Sequence, residues 1–199
     1  VNTNYKQSEL EYLCENSDMH TLCIIDGTWD CDYVDMTYKM LPELRTCQRG
    51  KLHSERFPKM KNVIYIGQEK HRGMYNTAEI LLLGSSISDD RLIQAKKQVN
   101  CHDVVNMQYT SGTTGFPKGV MITHHNMVTV GINSFEVNGF EKGDVILHCA
   151  PYFHVMGLGA IVRFVLYEVK AVILESFNAK RVLQLIEQEE ITVHVGVPS

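Results

Sequence analysis

Apolar positions along this chain follow two alternating rhythms. Ser8 to Asn16 sets Leu10, Leu13 and Cys14 on one helical face, and Ser8 with Glu11 has the spacing of a capping box. Thr21 to Ile25 is a short run rich in β-formers and predicts a buried strand. Tyr33 to Leu41 reads as a helix that stops before Pro42. A second buried strand runs from Asn62 to Ile66 and ends at Gly67, while Pro42 to Lys61 and Gln68 to Asn76 are polar and irregular. Asp89 to Gln98 predicts a short exposed helix, and Asp103 to Tyr109 a strand. Thr123 then stands as the N-cap of a helix on which Met127, Val130, Ser134 and Phe135 recur at helical spacing. The remaining pattern alternates: strand Asp144 to Cys149, buried helix Gly157 to Leu166, strand Val169 to Leu174. Asn178 then caps a helix with Val182, Leu185 and Ile186 inward, and strand Ile191 to Val197 follows.

Strands without internal alternation, interleaved with helices, argue for an α/β protein. The expected architecture is a largely parallel twisted sheet with flanking helices and right-handed crossovers. No internal repeat or low-complexity segment occurs. The sequence lacks an initiator Met and stops just after a strand, so the expectation is a piece of a longer protein, a sheet interrupted inside a larger domain.

Composition narrows the function classes. Hydrophobic residues make up 44% and charged residues 21% of the 199, ordinary for a globular protein of this size. A net charge of -4 gives no electrostatic case for a nucleic-acid partner. No apolar run has the length of a transmembrane segment, and the polar start VNTNYKQSELEY does not read as a signal peptide. The six cysteines include no C-x-x-C pair. They read as free thiols in a reducing, cytoplasmic compartment, with scattered disulfides or a zinc site as the other readings.

The densest chemistry lies in YTSGTTGFPKGVM, Tyr109 to Met121. Gly112, Gly115 and Gly119 let a backbone turn sharply and bring its N–H groups close to a ligand. Thr110, Ser111, Thr113 and Thr114 add hydroxyl donors, and Lys118 adds a mobile ammonium. Several donors and one cation match the oxygens of a polyphosphate. The stretch is not a Walker A loop, because its lysine precedes its glycine, and no G-x-G-x-x-G occurs. A solvated Ser/Thr/Gly linker is the competing reading. Its position between a β-rich run and a capped helix, and its Pro and Lys, speak against that. Downstream, His148, Cys149 and His154 lack the spacing of a four-ligand metal site, and a strand period sends His148 and Cys149 to opposite faces. His154 taken alone reads as a core histidine bonded to backbone.

The segment from Tyr109 to Val120 resembles the signature loop of the adenylate-forming superfamily, which holds acyl-CoA synthetases, non-ribosomal adenylation domains and beetle luciferases. Ala150-Pro-Tyr-Phe-His-Val-Met-Gly157 resembles that superfamily's next motif, P-x-F-H-x-x-G. The start, VNTNYKQSELEYLCENSD, is similar to the N-terminal region of acyl-CoA synthetases, and the run KNVIYIGQEKHRGMYN resembles the medium-chain fatty acyl-CoA synthetase branch. The resemblance covers nearly the whole chain, with only the two motif blocks sharp. It implies that residues 1–199 form part of an N-terminal, ATP- and acyl-binding domain, with a C-terminal domain absent from this sequence.

What the resemblance implies is an ATP-dependent, AMP-forming ligase: fatty acid, ATP and coenzyme A give acyl-CoA, AMP and pyrophosphate through an acyl-adenylate, with Mg2+ assisting. On this sequence it assigns Thr110, Ser111, Gly112, Thr113, Thr114, Gly115 and Lys118 to the ATP phosphates, and His154 and Gly157 to the acyl pocket. It assigns no catalytic or metal-binding residue within these 199, and no role to His124 or His125. The family's later magnesium glutamate, ribose-gripping aspartate and adenylation lysine have no counterpart here, so the piece is expected to lack turnover by itself. The alternatives are a carrier-loading adenylation domain and a non-catalytic phosphate-binding module. The compartment implied is the cytoplasm, or the mitochondrial matrix in a eukaryote.

Overall fold

The computed structural model describes residues 1–28, 30–110 and 117–196, in two units, Val1–Val99 and Asn100–Ser199. In the first unit, α1 (Gln7–Asn16) starts one residue before the expected Ser8. Its cap uses Glu9, whose carboxylate accepts from the Lys6 backbone N–H at 2.8 Å, so the Ser8–Glu11 pairing is not the box that forms. Strand β1 (Thr21–Ile24) leads through the short antiparallel pair β2 (Gly27–Thr28) and β3 (Cys31–Asp32) into α2 (Tyr33–Met40). Asp32 caps α2 by accepting from the Asp35 N–H at 2.8 Å. A 3-10 turn, Pro42–Arg45, follows where proline cannot continue the helix. Strands β4 (Asn62–Tyr65) and β5 (Tyr75–Asn76) complete a three-stranded sheet ordered β1-β4-β5, parallel throughout.

Two helices close this unit, α3 (Thr77–Ser85) and α4 (Asp89–Gln98). The first is absent from the sequence expectation because TAEILLLGS is apolar on every side and shows no stripe. Its signal is local instead. Asn76 and Glu79 form a reciprocal capping box, each side chain accepting from the other's backbone N–H at 3.0 Å. The core runs from Leu10 through Leu22, Met36, Leu41, Leu44, Phe57 and Val63 to Met74.

In the second unit, β6 (Val104–Thr110) and β7 (Lys118–Thr123) form an antiparallel hairpin. Helix α5 (His124–Val137) leaves β7 directly. Its cap is the expected Thr123, which accepts from the Asn126 N–H at 3.1 Å. Then come β8 (Val145–His148), α6 (Val155–Tyr167), β9 (Lys170–Ile173), α7 (Ala179–Gln188) and β10 (Val193–His194). These three strands make a second parallel sheet, ordered β10-β8-β9, with the largely buried β8 in the middle. Asn178 caps α7 as expected, at 2.9 Å from the Arg181 N–H. The final strand is shorter than the predicted Ile191 to Val197, and Val197 lies outside the described residues.

Helices α5 and α6 pack closely because Gly131 offers no side chain: a Cβ there would stand 2.7 Å from a Val162 methyl. Phe135 stacks on Tyr167 with ring centroids 3.5 Å apart and joins Ile146 and Val169 in a small cluster. Leu147, Val182 and Leu185 form another beneath α7. The protein is therefore α/β, with parallel sheets and flanking helices. Among the described residues, no helix is long and apolar enough to cross a membrane.

Candidate functional site

The hairpin gives the signature segment its geometry. Ladder pairs run from Val104 with Thr123 at one end to Thr110 with Lys118 at the other. The register therefore sets the first hydroxyl of the segment directly across from its lysine. Both residues are exposed, at the open end of a two-stranded ladder. Ser111, Gly112, Thr113, Thr114 and Gly115 lie outside the described residues. Strand β7 itself was not part of the sequence expectation, although KGVMIT carries the β-branched content that would have signalled it.

Gly119 shows why this arm needs a glycine. It faces Tyr109 in the ladder, and a Cβ would come within 2.8 Å of Met107 Sδ and 3.2 Å of the Tyr109 ring. The opposite end of the hairpin carries His124 and His125. Their backbone N–H groups donate to Asp103 and Cys101 carbonyls, at 3.2 and 2.8 Å. Six residues of strand separate them from Lys118, about 20 Å at ~3.3 Å per residue. The two histidines are thus anchored at the base of the hairpin, away from its loop end.

The second motif block builds the start of α6. His154 is the N-cap: its Nδ1 accepts from the Met156 N–H at 3.3 Å, which requires that nitrogen to be unprotonated and leaves the ring proton on Nε2. The ring is exposed. Its backbone N–H donates to the Pro151 carbonyl at 3.1 Å, folding the loop back under the helix. Gly157 is buried there. A Cβ on it would collide with the Pro151 carbonyl oxygen and sit 2.7 Å from Tyr152 Cα. Close approach at Gly157 is thus made by the chain's own backbone, whatever else comes near.

Behind this motif His148 lies near the half-buried Arg163, a neighbour that the sequence patterns did not give it. His148 ends β8 and is buried, with Nε2 unpartnered. Burial lowers its pKa, and the Arg163 guanidinium on α6 adds to that, against a raising hydrogen bond with the Ala150 backbone. Burial also lowers the Arg163 pKa. Its Nη1 donates to Ser134 Oγ at 3.3 Å while Nε has no partner.

The structure thus brings Thr110 and Lys118 together at the hairpin mouth, and His154 and Gly157 together at the α6 N-terminus. The bracketing hydroxyl and ammonium suit an anionic, phosphate-like ligand. Neither side chain is a carboxylate that could hold a magnesium ion.

Comparison with known proteins shows the family of the chain. The whole chain, residues 1–199, matches the AMP-binding enzyme family, and the chain belongs to that family. The Bacillus subtilis protein YngI, which carries the name of an acyl-CoA synthetase, is 38% identical over 201 residues, covering 100% of this chain and 36% of its own length. The human mitochondrial medium-chain acyl-CoA ligase ACSF2 is 31% identical over 206 residues, covering 100% of this chain and 33% of its own. The chain therefore spans about a third of the length of the curated relatives it matches. Among solved structures, a long-chain-fatty-acid-CoA ligase from Archaeoglobus fulgidus superposes with a TM-score of 0.68 at 25% identity. That match covers 98% of this chain and 33% of the other. ATP-bound MatB from Rhodopseudomonas palustris gives 0.67 at 20% identity, over 100% and 33% of the two chains, a likeness of fold.

Proposed function

We propose that this chain supplies the phosphate-binding loop and part of the acyl pocket of an ATP-dependent, AMP-forming acyl-CoA synthetase acting on fatty acids. The observation that carries the reading is the hairpin register, in which Thr110 and Lys118 face each other across the mouth of a glycine- and hydroxyl-rich loop. Family membership over the full length and the acyl-CoA ligase names of the relatives support the reaction class.

In this reading, the loop hydroxyls, its backbone N–H groups and Lys118 bind the β- and γ-phosphates of ATP. Attack of the fatty-acid carboxylate on the α-phosphorus builds negative charge on the departing pyrophosphate. Donors already aimed at those oxygens stabilise that charge as it forms. A lysine suits the task because its ammonium is a compact charge on a flexible stem, able to follow the phosphates as they separate. Coenzyme A then takes the acyl group from the adenylate. His154 and Gly157 line the acyl side, where the histidine contributes shape and a polar edge and no proton transfer.

The test is carboxylate-dependent ATP–pyrophosphate exchange in the full-length protein. Replacing Lys118 with Ala should lower exchange by about 10²- to 10³-fold, the usual effect of losing one charge-stabilising donor. Undiminished exchange in that variant would refute the assignment. The 199-residue chain alone should give no acyl-CoA. Thioester formation with free coenzyme A, as opposed to a carrier protein, separates this reading from a carrier-loading domain.

A further inference from the structure

The Asp26, Glu69 and His71 side chains meet in the first unit, with one ligand atom from each lying within 4.8 Å of the other two. We propose that these three residues form a structural site for a divalent transition-metal ion, Zn2+ in preference to Mn2+, and both in preference to Mg2+. The proposal does not depend on the assignment of the phosphate loop.

Topology brings the three together. Strands β1 and β4 are adjacent and parallel, and Asp26 follows the first by two residues, Glu69 and His71 the second by four and six. All three therefore stand beyond the carboxyl ends of parallel strands, where open α/β sheets place their ligands. More than a patch of surface acid is involved. His71 Nε2 is sealed from solvent without a hydrogen-bond partner, 3.9 Å from Glu69 Oε2. A buried ring nitrogen left unpaired costs free energy that a metal ion would recover.

The surroundings hold the ligands in place. The Tyr65 hydroxyl donates to Asp26 Oδ1, and the Tyr65 ring meets the His71 ring edge-on at 4.5 Å. That is the arrangement in which an outer hydrogen bond orients a ligating carboxylate. The His71 loop is pinned by the Met74 N–H on the His71 carbonyl at 3.3 Å, and by Arg49 Nε on the Met74 carbonyl at 2.7 Å. Glu69 is the mobile arm, its side chain 75% exposed. Tetrahedral bonds of about 2.0–2.2 Å set ligands roughly 3.4 Å apart, so a rotamer change at Glu69 closes the site. Among the described residues, neither carboxylate is paired with a lysine or arginine. Asp30 and Asp32 line the same shallow cleft as Asp26 and add negative charge. Two carboxylates with one imidazole favour borderline ions over magnesium, and the Irving–Williams order puts zinc above manganese. The bound ion would tie the loop after β1 to the loop after β4.

Equilibrium dialysis of the chain against Zn2+, Mn2+ and Mg2+ tests this, with thermal melting as a second reading. One equivalent of Zn2+ should bind and raise the melting temperature. His71→Ala and Asp26→Asn should abolish the binding, and Tyr65→Phe should weaken it by about tenfold through the lost outer hydrogen bond. Asp89→Asn, on α4, should leave it unchanged. If His71→Ala fails to fold by circular dichroism, the exposed Glu69→Gln decides, with a loss of affinity of at least about tenfold expected. Absence of zinc uptake by the parent chain, or uptake unchanged in the ligand variants, would overturn the site. So would a sulfur-to-metal charge-transfer band with Co2+, which would give the ion to cysteines instead.

Discussion

Among the described residues, 1–99 bury one continuous cluster of fourteen apolar side chains, whereas 100–199 bury two clusters of three. In the first unit Leu41 and Leu44 are wholly inaccessible, and the core gathers from two helices, two strands, the 3-10 turn and the loop that holds Leu52, Phe57 and Met60. Both units also expose apolar side chains, Leu81 and Leu82 on α3 in the first and Val137 and Val165 in the second, so the difference lies in the buried clusters. The unit with the continuous core carries none of the family motifs, and the unit with both sharp motifs has the thinner core. Hairpin register and helix caps, set by hydrogen bonds close in sequence, hold the candidate site more than core packing does. The difference teaches that a site can be built from local geometry on a scaffold with modest burial of its own.

The contrast can be broken most directly in the first core. Leu44→Ala should cost about 2–5 kcal/mol in urea denaturation, while Val165→Ser on α6 should stay within about 0.5 kcal/mol. Equal costs would mean that the two units do not differ in this way. A smaller effect is expected at the motif itself. Gly157→Ala should destabilise by about 1–3 kcal/mol, because the new methyl meets backbone at Pro151 and Tyr152 that cannot rotate away. If the variant is fully stable yet loses pyrophosphate exchange, the glycine serves substrate approach and not loop packing.

The smallest effect is a pH dependence in the second unit. His148 is held neutral by burial, with its folded pKa below 6.5. The unfolded chain then binds the extra proton first as pH falls below 6.5, so this contribution to stability is present at neutral pH and shrinks on acidification, down to the lowered folded value. Denaturation midpoints at pH 7.5 and 5.5 should therefore differ more for the parent than for His148→Gln. An identical difference in both would remove His148 as a source of acid sensitivity.

Much of this was legible in sequence wherever the governing contacts are local. Thr123 and Asn178 cap the helices they were expected to cap, since a side chain and an N–H three residues on decide the matter. The apolar runs at β1, β4, β8 and β9 formed parallel strands with nearly the expected bounds. Where two caps compete, the reading slipped: Lys6 and Glu9 displaced Ser8 and Glu11 by a difference too small for spacing to resolve. Helix α3 escaped because its leucines show no polar face, and β7 because a glycine and a lysine obscured a strand that exists only through pairing with β6.

The sequence by itself determined the α/β class, the family, and the residue types gathered in the two motif blocks. Those follow from period, capping and short-range chemistry, which act over a few residues. Tertiary structure alone decided that Thr110 faces Lys118, that His124 and His125 sit at the far end of that ladder, and that Asp26 meets Glu69 and His71 across 45 residues of chain. The last meeting depends on strand order, which is settled by burying whole faces together, and no window of neighbouring residues contains that free energy; the hairpin meetings depend on a pairing register that periodicity and capping do not specify.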